Sequence, residues 1–155
     1  MIKLDKIDKK ILAILQANAR ISNQELAEQV GLSATPCARR VKRLEDSGLI
    51  QAYCTLLNPE VLDLNLTAYL SISMDRHTPD RFERFEQTIK DYPEVLECCI
   101  VTGQQADFML KVIVHDMQHY EQFLLGRLTR IPGVTGVHSS FVLRRIINKI
   151  ALPLG

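Results

Sequence analysis

The 155-residue chain is predicted to be an α+β protein, three helices at its N-terminus followed by a β-α-β-β-α-β run. Three observations predict this. Apolar residues recur at helical spacing as far as Ser47, and beyond Asn65 they alternate in runs of strand length. The later stretch also repeats itself at an offset of thirty-nine positions, which aligns Phe85 with Leu124, Ile89 with Leu128, Pro93 with Pro132 and Val95 with Val134. With 46% hydrophobic residues the chain can build one ordinary core or two small ones.

In the first helix Ile7, Ile11, Leu12 and Leu15 share one face, while Lys6, Asp8, Lys9 and Lys10 take the complementary positions. Ser22 and Glu25 form a capping box, in which each side chain bonds the other residue's backbone N–H at a helix start. A short second helix therefore runs from Asn23 to Val30, and Gly31 ends it in the left-handed conformation. Ser33 offers a further N-cap. The third helix carries Pro36 in its first turn, where a missing donor is harmless, and reaches Ser47, with Gly48 as terminator.

Two helices joined by a tight Gly-containing turn and backed by a third make a helix-turn-helix, here of winged type. The second helix of such a pair projects far enough to enter the major groove of DNA, about 12 Å wide. Cys37, Val41 and Leu44 form the buried stripe of the third helix, and no acid lies between Ser33 and Arg43. The residues expected on DNA are Ser33, Thr35, Pro36, Arg39, Arg40, Lys42 and Arg43, with free backbone donors at the helix start favouring phosphate. A solvated outer face of an amphipathic helix is the alternative for this charge cluster. Net charge is only +1, but nine basic residues face six acidic ones up to Ile50 and ten face twelve after it.

Residues 49–57 mix apolar and β-favouring types and read as a strand, with a connector to Asn65. Strands are then expected around Ala68 to Met74, Val95 to Thr102, Asp107 to Val114 and Val134 to Leu143. One helix follows Thr78-Pro79-Asp80, and Asp116 caps another. Two βαβ halves make a ferredoxin-like βαββαβ sandwich, with helices on one face of an antiparallel sheet. Val101, Met109 and Ile113 would face away from the helices, and burial against a second subunit is expected for them. The chain thus divides into 1–49, the helix-turn-helix domain expected on DNA, 50–65, the linker strand and connector, and 66–155, the ferredoxin-like domain expected to pair subunits.

Cys37, Cys54, Cys98 and Cys99 make no C-x-x-C pair, and nothing resembles a zinc-finger spacing. No phosphate-binding glycine loop, H-E-x-x-H or nucleophile elbow is present, so no enzyme, cofactor or metal is expected. His115 and His119 have the i, i+4 spacing of metal ligands, but a cap at Asp116 leaves His115 outside the helix; His77 and His138 read as ordinary surface or sheet residues. No charged-then-apolar leader opens the sequence and no apolar run reaches membrane-spanning length, so a cytoplasmic, nucleoid-associated protein without a membrane partner is expected.

The stretches Leu4-Asp5-Lys6-Ile7-Asp8-Lys9-Lys10-Ile11-Leu12, Arg20-Ile21-Ser22-Asn23-Gln24-Glu25-Leu26-Ala27 and Val30-Gly31-Leu32-Ser33-Ala34-Thr35-Pro36-Cys37, then Arg39-Arg40-Val41-Lys42-Arg43-Leu44-Glu45, stand in an order that is highly specific. With them, the chain resembles the Lrp/AsnC (feast/famine) transcriptional regulators over nearly its whole length. The resemblance implies sequence-specific binding to double-stranded DNA by homodimers that assemble into tetramers or octamers. It also implies an amino-acid effector held between subunits near the loop joining the second and third strands of the sensing domain. On this sequence the motif falls on Thr102, Gly103, Gln105, Ala106, Asp107 and Phe108, with Thr135 and Gly136 from the opposite subunit. A free amino acid needs a carboxylate for its ammonium and open backbone donors for its own carboxylate, as an acid beside a glycine turn provides. An architectural DNA-bending protein without an effector is the alternative reading.

Overall fold

The structure, a computed structural model, describes residues 3–103 and 106–154. It separates into two compact units: Met1–Leu56 with Ile147–Gly155, and Leu57–Ile146. The last residues therefore group with the helical unit, although the division at 66–155 assigns them to the sheet domain. Leu154 packs against the helical core, and Gln16 forms two hydrogen bonds with the backbone of Leu152, donating Nε2–H to its carbonyl at 3.1 Å and accepting its N–H at 2.6 Å.

The helical unit consists of α1 (Lys6–Ala17), α2 (Asn23–Val30) and α3 (Ala34–Asp46). Its core is Ile11, Leu12, Leu26, Ala27, Val30, Cys37 and Leu44, the apolar stripes that the spacing predicts, closed by half-buried Val41 and Ile50. The Ser22 and Glu25 box is formed, with Ser22 N donating to Glu25 Oε2 at 3.0 Å and Glu25 N to Ser22 Oγ at 3.2 Å. Gly31 adopts φ +76°, a left-handed conformation that suits glycine, and Leu32 N then bonds Ala27 O at 2.9 Å. Asn23 Nδ2 donates to Ala34 O at 3.0 Å, tying the start of α2 to the start of α3 across the turn.

Two local expectations fail here. Ser33 occupies the N-cap of α3, yet its side chain makes no capping bond. Residues 49–57 form no strand: a strand needs a paired edge, and the four-stranded sheet formed by the described residues does not include this segment. It is instead anchored to α3, with Ile50 N on Leu44 O and the Tyr53 hydroxyl donating to Glu45 Oε1 at 2.7 Å. Burial and then the Glu45 carboxylate push the Tyr53 phenol up to about 12.

The second unit holds β1 (Leu66–Met74), α4 (Pro79–Lys90), β2 (Val95–Ile100), β3 (Phe108–Val114), α5 (Met117–Gly126) and β4 (Val134–Phe141). The strands pair antiparallel in the order β2-β3-β1-β4, the ferredoxin-like arrangement. Asp116 caps α5, accepting from His119 N at 2.8 Å. Alternation puts Ala68, Leu70, Ile72, Phe108, Leu110 and Val112 beneath Phe85, Ile89, Tyr120 and Phe123 of the two helices. Register places Tyr69, Ser71, Ser73, Met109, Lys111, Glu97, His138 and Ser140 on the opposite face. That face is more polar than the expectation built on Val101, Met109 and Ile113, and Ile113 is already buried within its own chain.

Candidate functional site

Helical geometry divides α3 into three stripes. Cys37, Val41 and Leu44 point into the core. Pro36, Arg40 and Arg43 lie on the adjacent face, and here the charge is neutralised internally. The Arg40 guanidinium reaches Asp5 Oδ2 at 2.7 Å and Asp8 Oδ1 at 2.8 Å, and Arg43 pairs with Asp8 Oδ2. The Asp8 side chain is 1% exposed and also accepts the Asp5 N–H, completing a capping box at the start of α1. Asp5 is held below its ordinary value near 3.8, first by the Asp8 backbone N–H and then by Arg40.

The third stripe is Thr35, Arg39 and Lys42, all exposed. Lys42 reaches Asp46 one turn along at 3.4 Å, a solvent-screened pair. Ser33 is exposed at the start of the same helix. The basic cluster therefore has two parts, one that clamps α1 to α3 and one that faces outward.

The loop residues gather at one end of the sheet. Thr102 and Gly103 are exposed, Gly103 with φ +84° and open space where a Cβ would stand. Gln105 lies outside the described residues. Ala106 is half-buried, Asp107 is 18% exposed and Phe108 is buried against Phe85 and Phe82. The Asp107 backbone N–H donates to Ile72 O at 2.8 Å and its Oδ2 accepts Met74 N–H at 2.7 Å, so the carboxylate is fixed on the last residues of β1. Thr135 and Gly136 sit on the other side of the same residues. They belong to β4: Gly136 pairs with Ser73, and Thr135 Oγ1 donates to Ser73 O at 3.1 Å. Within one chain β1 separates the two sets by about two interstrand spacings, roughly 10 Å. A groove of about 510 Å³ between α4 and β2 shares Phe108 with the loop but none of its polar groups.

Comparison with known proteins decides what the two units are. Residues 4–51 match the model of the winged helix-turn-helix DNA-binding domain, and residues 67–152 that of the Lrp/AsnC ligand binding domain. The chain belongs to the Lrp/AsnC family. It is 44% identical to the Bkd operon transcriptional regulator of Pseudomonas aeruginosa over 99% of this chain and 100% of that protein. The leucine-responsive regulatory protein of Escherichia coli is also 44% identical, over 92% of this chain and 87% of its own length. Among solved structures, a transcriptional regulator of Neisseria meningitidis in complex with L-Met superposes with a TM-score of 0.94 at 43% identity, covering 98% of this chain and 97% of that one. Lrp/AsnC proteins are transcriptional regulators and not enzymes, with a DNA-binding helix-turn-helix and a ligand-binding domain.

In this Lrp/AsnC chain the sequence reading missed two features. Nothing in the residue spacing links α1 carboxylates to α3 arginines more than thirty positions away, so the ion pairs of Arg40 and Arg43 with Asp5 and Asp8 do not show in the sequence. His77 was missed as well. Its Nε2 stands 2.7 Å from Asp107 Oδ1, thirty residues away in sequence. The detectable signal is topological: in a β2-β3-β1-β4 sheet, the segment after β1 and the segment before β3 lie at the same end. His115 and His119 stack with ring centroids 5.3 Å apart, His115 using Nδ1 on Asp63 O and His119 lying 3.5 Å from Glu94. No group of three or more His, Cys, Asp or Glu among the described residues is placed to hold a metal.

Proposed function

We propose that this regulator binds double-stranded DNA sequence-specifically through Ser33, Thr35, Arg39 and Lys42, with Arg40 and Arg43 setting the pose of α3. The observation that carries this reading is the division of α3 into an outward basic stripe and a second one neutralised on Asp5 and Asp8. Arg39→Ala and Lys42→Ala are expected to weaken binding with melting unchanged. If the side chain reads a base edge, its removal costs about 1–3 kcal/mol and relaxes specificity at one position. If it holds a phosphate, its removal lowers affinity on all sequences and flattens the salt slope by about one unit. Mobility shifts on the protein's own upstream region and on random DNA check this; unchanged affinity in both variants places the recognition surface elsewhere.

The effector of this reading is an amino acid, its ammonium on Asp107 and its carboxylate on the turn at Thr102 and Gly103, next to Ala106 and Phe108, with Thr135 and Gly136 supplied by another subunit. Support comes from the fixed, partly exposed carboxylate beside a left-handed glycine and from the L-Met complex of the Neisseria meningitidis relative. Homodimers, built into tetramers or octamers on the chromosome in the cytoplasm, are the working form. A fragment spanning residues 57–146 is expected to sediment as a dimer or larger, through the sheet face of Tyr69, Met109 and Val101. A stable monomer at micromolar concentration removes that face as an interface. Equal affinity for operator and random DNA, with no response to any of the twenty amino acids, instead favours an architectural DNA-bending role.

A further inference from the structure

We infer that His77 is a built-in competitor for the effector site, occupying the Asp107 oxygen that an amino acid's ammonium would need and thereby setting the concentration at which the effector binds. This rests on the reading of Asp107 as the ammonium acceptor. The carboxylate has two oxygens with different fates. Oδ2 is committed to the Met74 N–H at 2.7 Å, a bond within the sheet end, while Oδ1 faces His77 Nε2 at 2.7 Å. A ring nitrogen 2.7 Å from a carboxylate oxygen takes the position a hydrogen-bonding ammonium would need, so one side chain stands where the ligand's cation is proposed to go.

The two partners differ in how firmly they are held. Asp107 is 18% exposed and bonded through both backbone and side chain, whereas His77 is 73% exposed and lies between the end of β1 and the start of α4. The imidazole meets Phe82 edge-on, with centroids 6.1 Å apart, and Phe82 in turn rests on Phe108 at 4.9 Å. Displacing the imidazole therefore moves an exposed ring into water and leaves the carboxylate in place. A contact whose imidazole partner is 73% exposed is worth little by itself, which makes it suited to tuning a threshold and not to blocking the site.

Calorimetric titration of L-methionine into full-length wild-type, His77→Ala, His77→Arg and Asp107→Asn protein tests the inference. His77→Ala is expected to bind about two- to fivefold more tightly than wild type, the range that removing an exposed competitor of up to about 1 kcal/mol allows at 1.4 kcal/mol per tenfold. His77→Arg, a permanent cation with a longer reach, binds more weakly. The opposite signs separate competition from general damage to the loop. With four histidines in the chain, the His77 ring signal can also be followed by NMR. It is expected to move on saturation with L-methionine toward its position in the Asp107→Asn protein. Equal or weaker binding by His77→Ala, or a ring signal that saturation leaves unmoved, overturns the competition. If Asp107→Asn loses affinity while His77→Ala stays at the wild-type value, the competitor role alone falls. Wild-type affinity in Asp107→Asn, or no heat from the wild type with any of the twenty amino acids, overturns the Asp107 reading and the His77 role with it.

Discussion

Asp107→Ala is expected to lower affinity for an amino-acid effector by more than tenfold. Removing one partner of a hydrogen-bonded charge pair that is desolvated on binding costs roughly 2–5 kcal/mol, and 1.4 kcal/mol is already a factor of ten. The structure adds a second consequence. Alanine also deprives the Met74 N–H of its acceptor, at a partly buried position, which is expected to cost the sensing unit about 1–2 kcal/mol and lower its melting temperature. Asp107→Asn separates the two roles, because an amide oxygen still accepts from Met74 but carries no charge for an ammonium. Effector affinity falls in both variants while melting falls chiefly in the alanine. Calorimetry beside thermal unfolding reads both. Normal effector affinity in a correctly assembled Asp107→Ala protein would refute the assignment and turn attention to Thr135 and Gly136 of another subunit.

Asp8→Ala is expected to destabilise the helical unit by about 2–3 kcal/mol and to weaken DNA binding through it. A buried pair that loses one partner typically costs about 3–5 kcal/mol, but Arg40 and Arg43 are 28% and 49% exposed and recover hydration, which reduces the figure. The substitution also opens the capping box at Asp5 and frees the face of α3 that leans on α1. In a unit this small such a change is a large fraction of the total stability. Acid acts in the same direction. Because the folded-state pKa of Asp5 is lowered, the stabilisation it contributes is fully present above about pH 4 and is lost as pH falls through the folded value. Thermal unfolding of the helical unit, with mobility shifts alongside, checks the prediction. An unchanged melting temperature for Asp8→Ala would mean that the arginines are not held by this carboxylate and are available to DNA.

Helix ends and apolar stripes were legible in the residues because they depend on neighbours in sequence. The Ser22 and Glu25 box, the glycine at position 31, the cap at Asp116 and the stripe of Cys37, Val41 and Leu44 all act within one or two turns. The order β-α-β-β-α-β and the loop before Phe108 were legible for the same reason, reinforced by the repeat across the sensing domain. The strand expected over residues 49–57 shows the limit. β-favouring residues report a capacity to pair, and pairing requires an edge that only the rest of the fold, or another copy, can supply.

Sequence by itself determined which residue types stand where chemistry is possible: a basic third helix, a glycine turn followed by an acid, and two apolar cores. The tertiary structure decided how those charges are partnered. It paired Arg40 and Arg43 with Asp5 and Asp8 and left Arg39 and Lys42 on the outward stripe. It divided the two oxygens of Asp107 between Met74 and His77, and returned the C-terminal residues around Leu152 to Gln16. The physical reason is common to all of these. A charge or an amide is satisfied by whatever group lies within about 3 Å in space, and distance along the chain carries no information about which group that is.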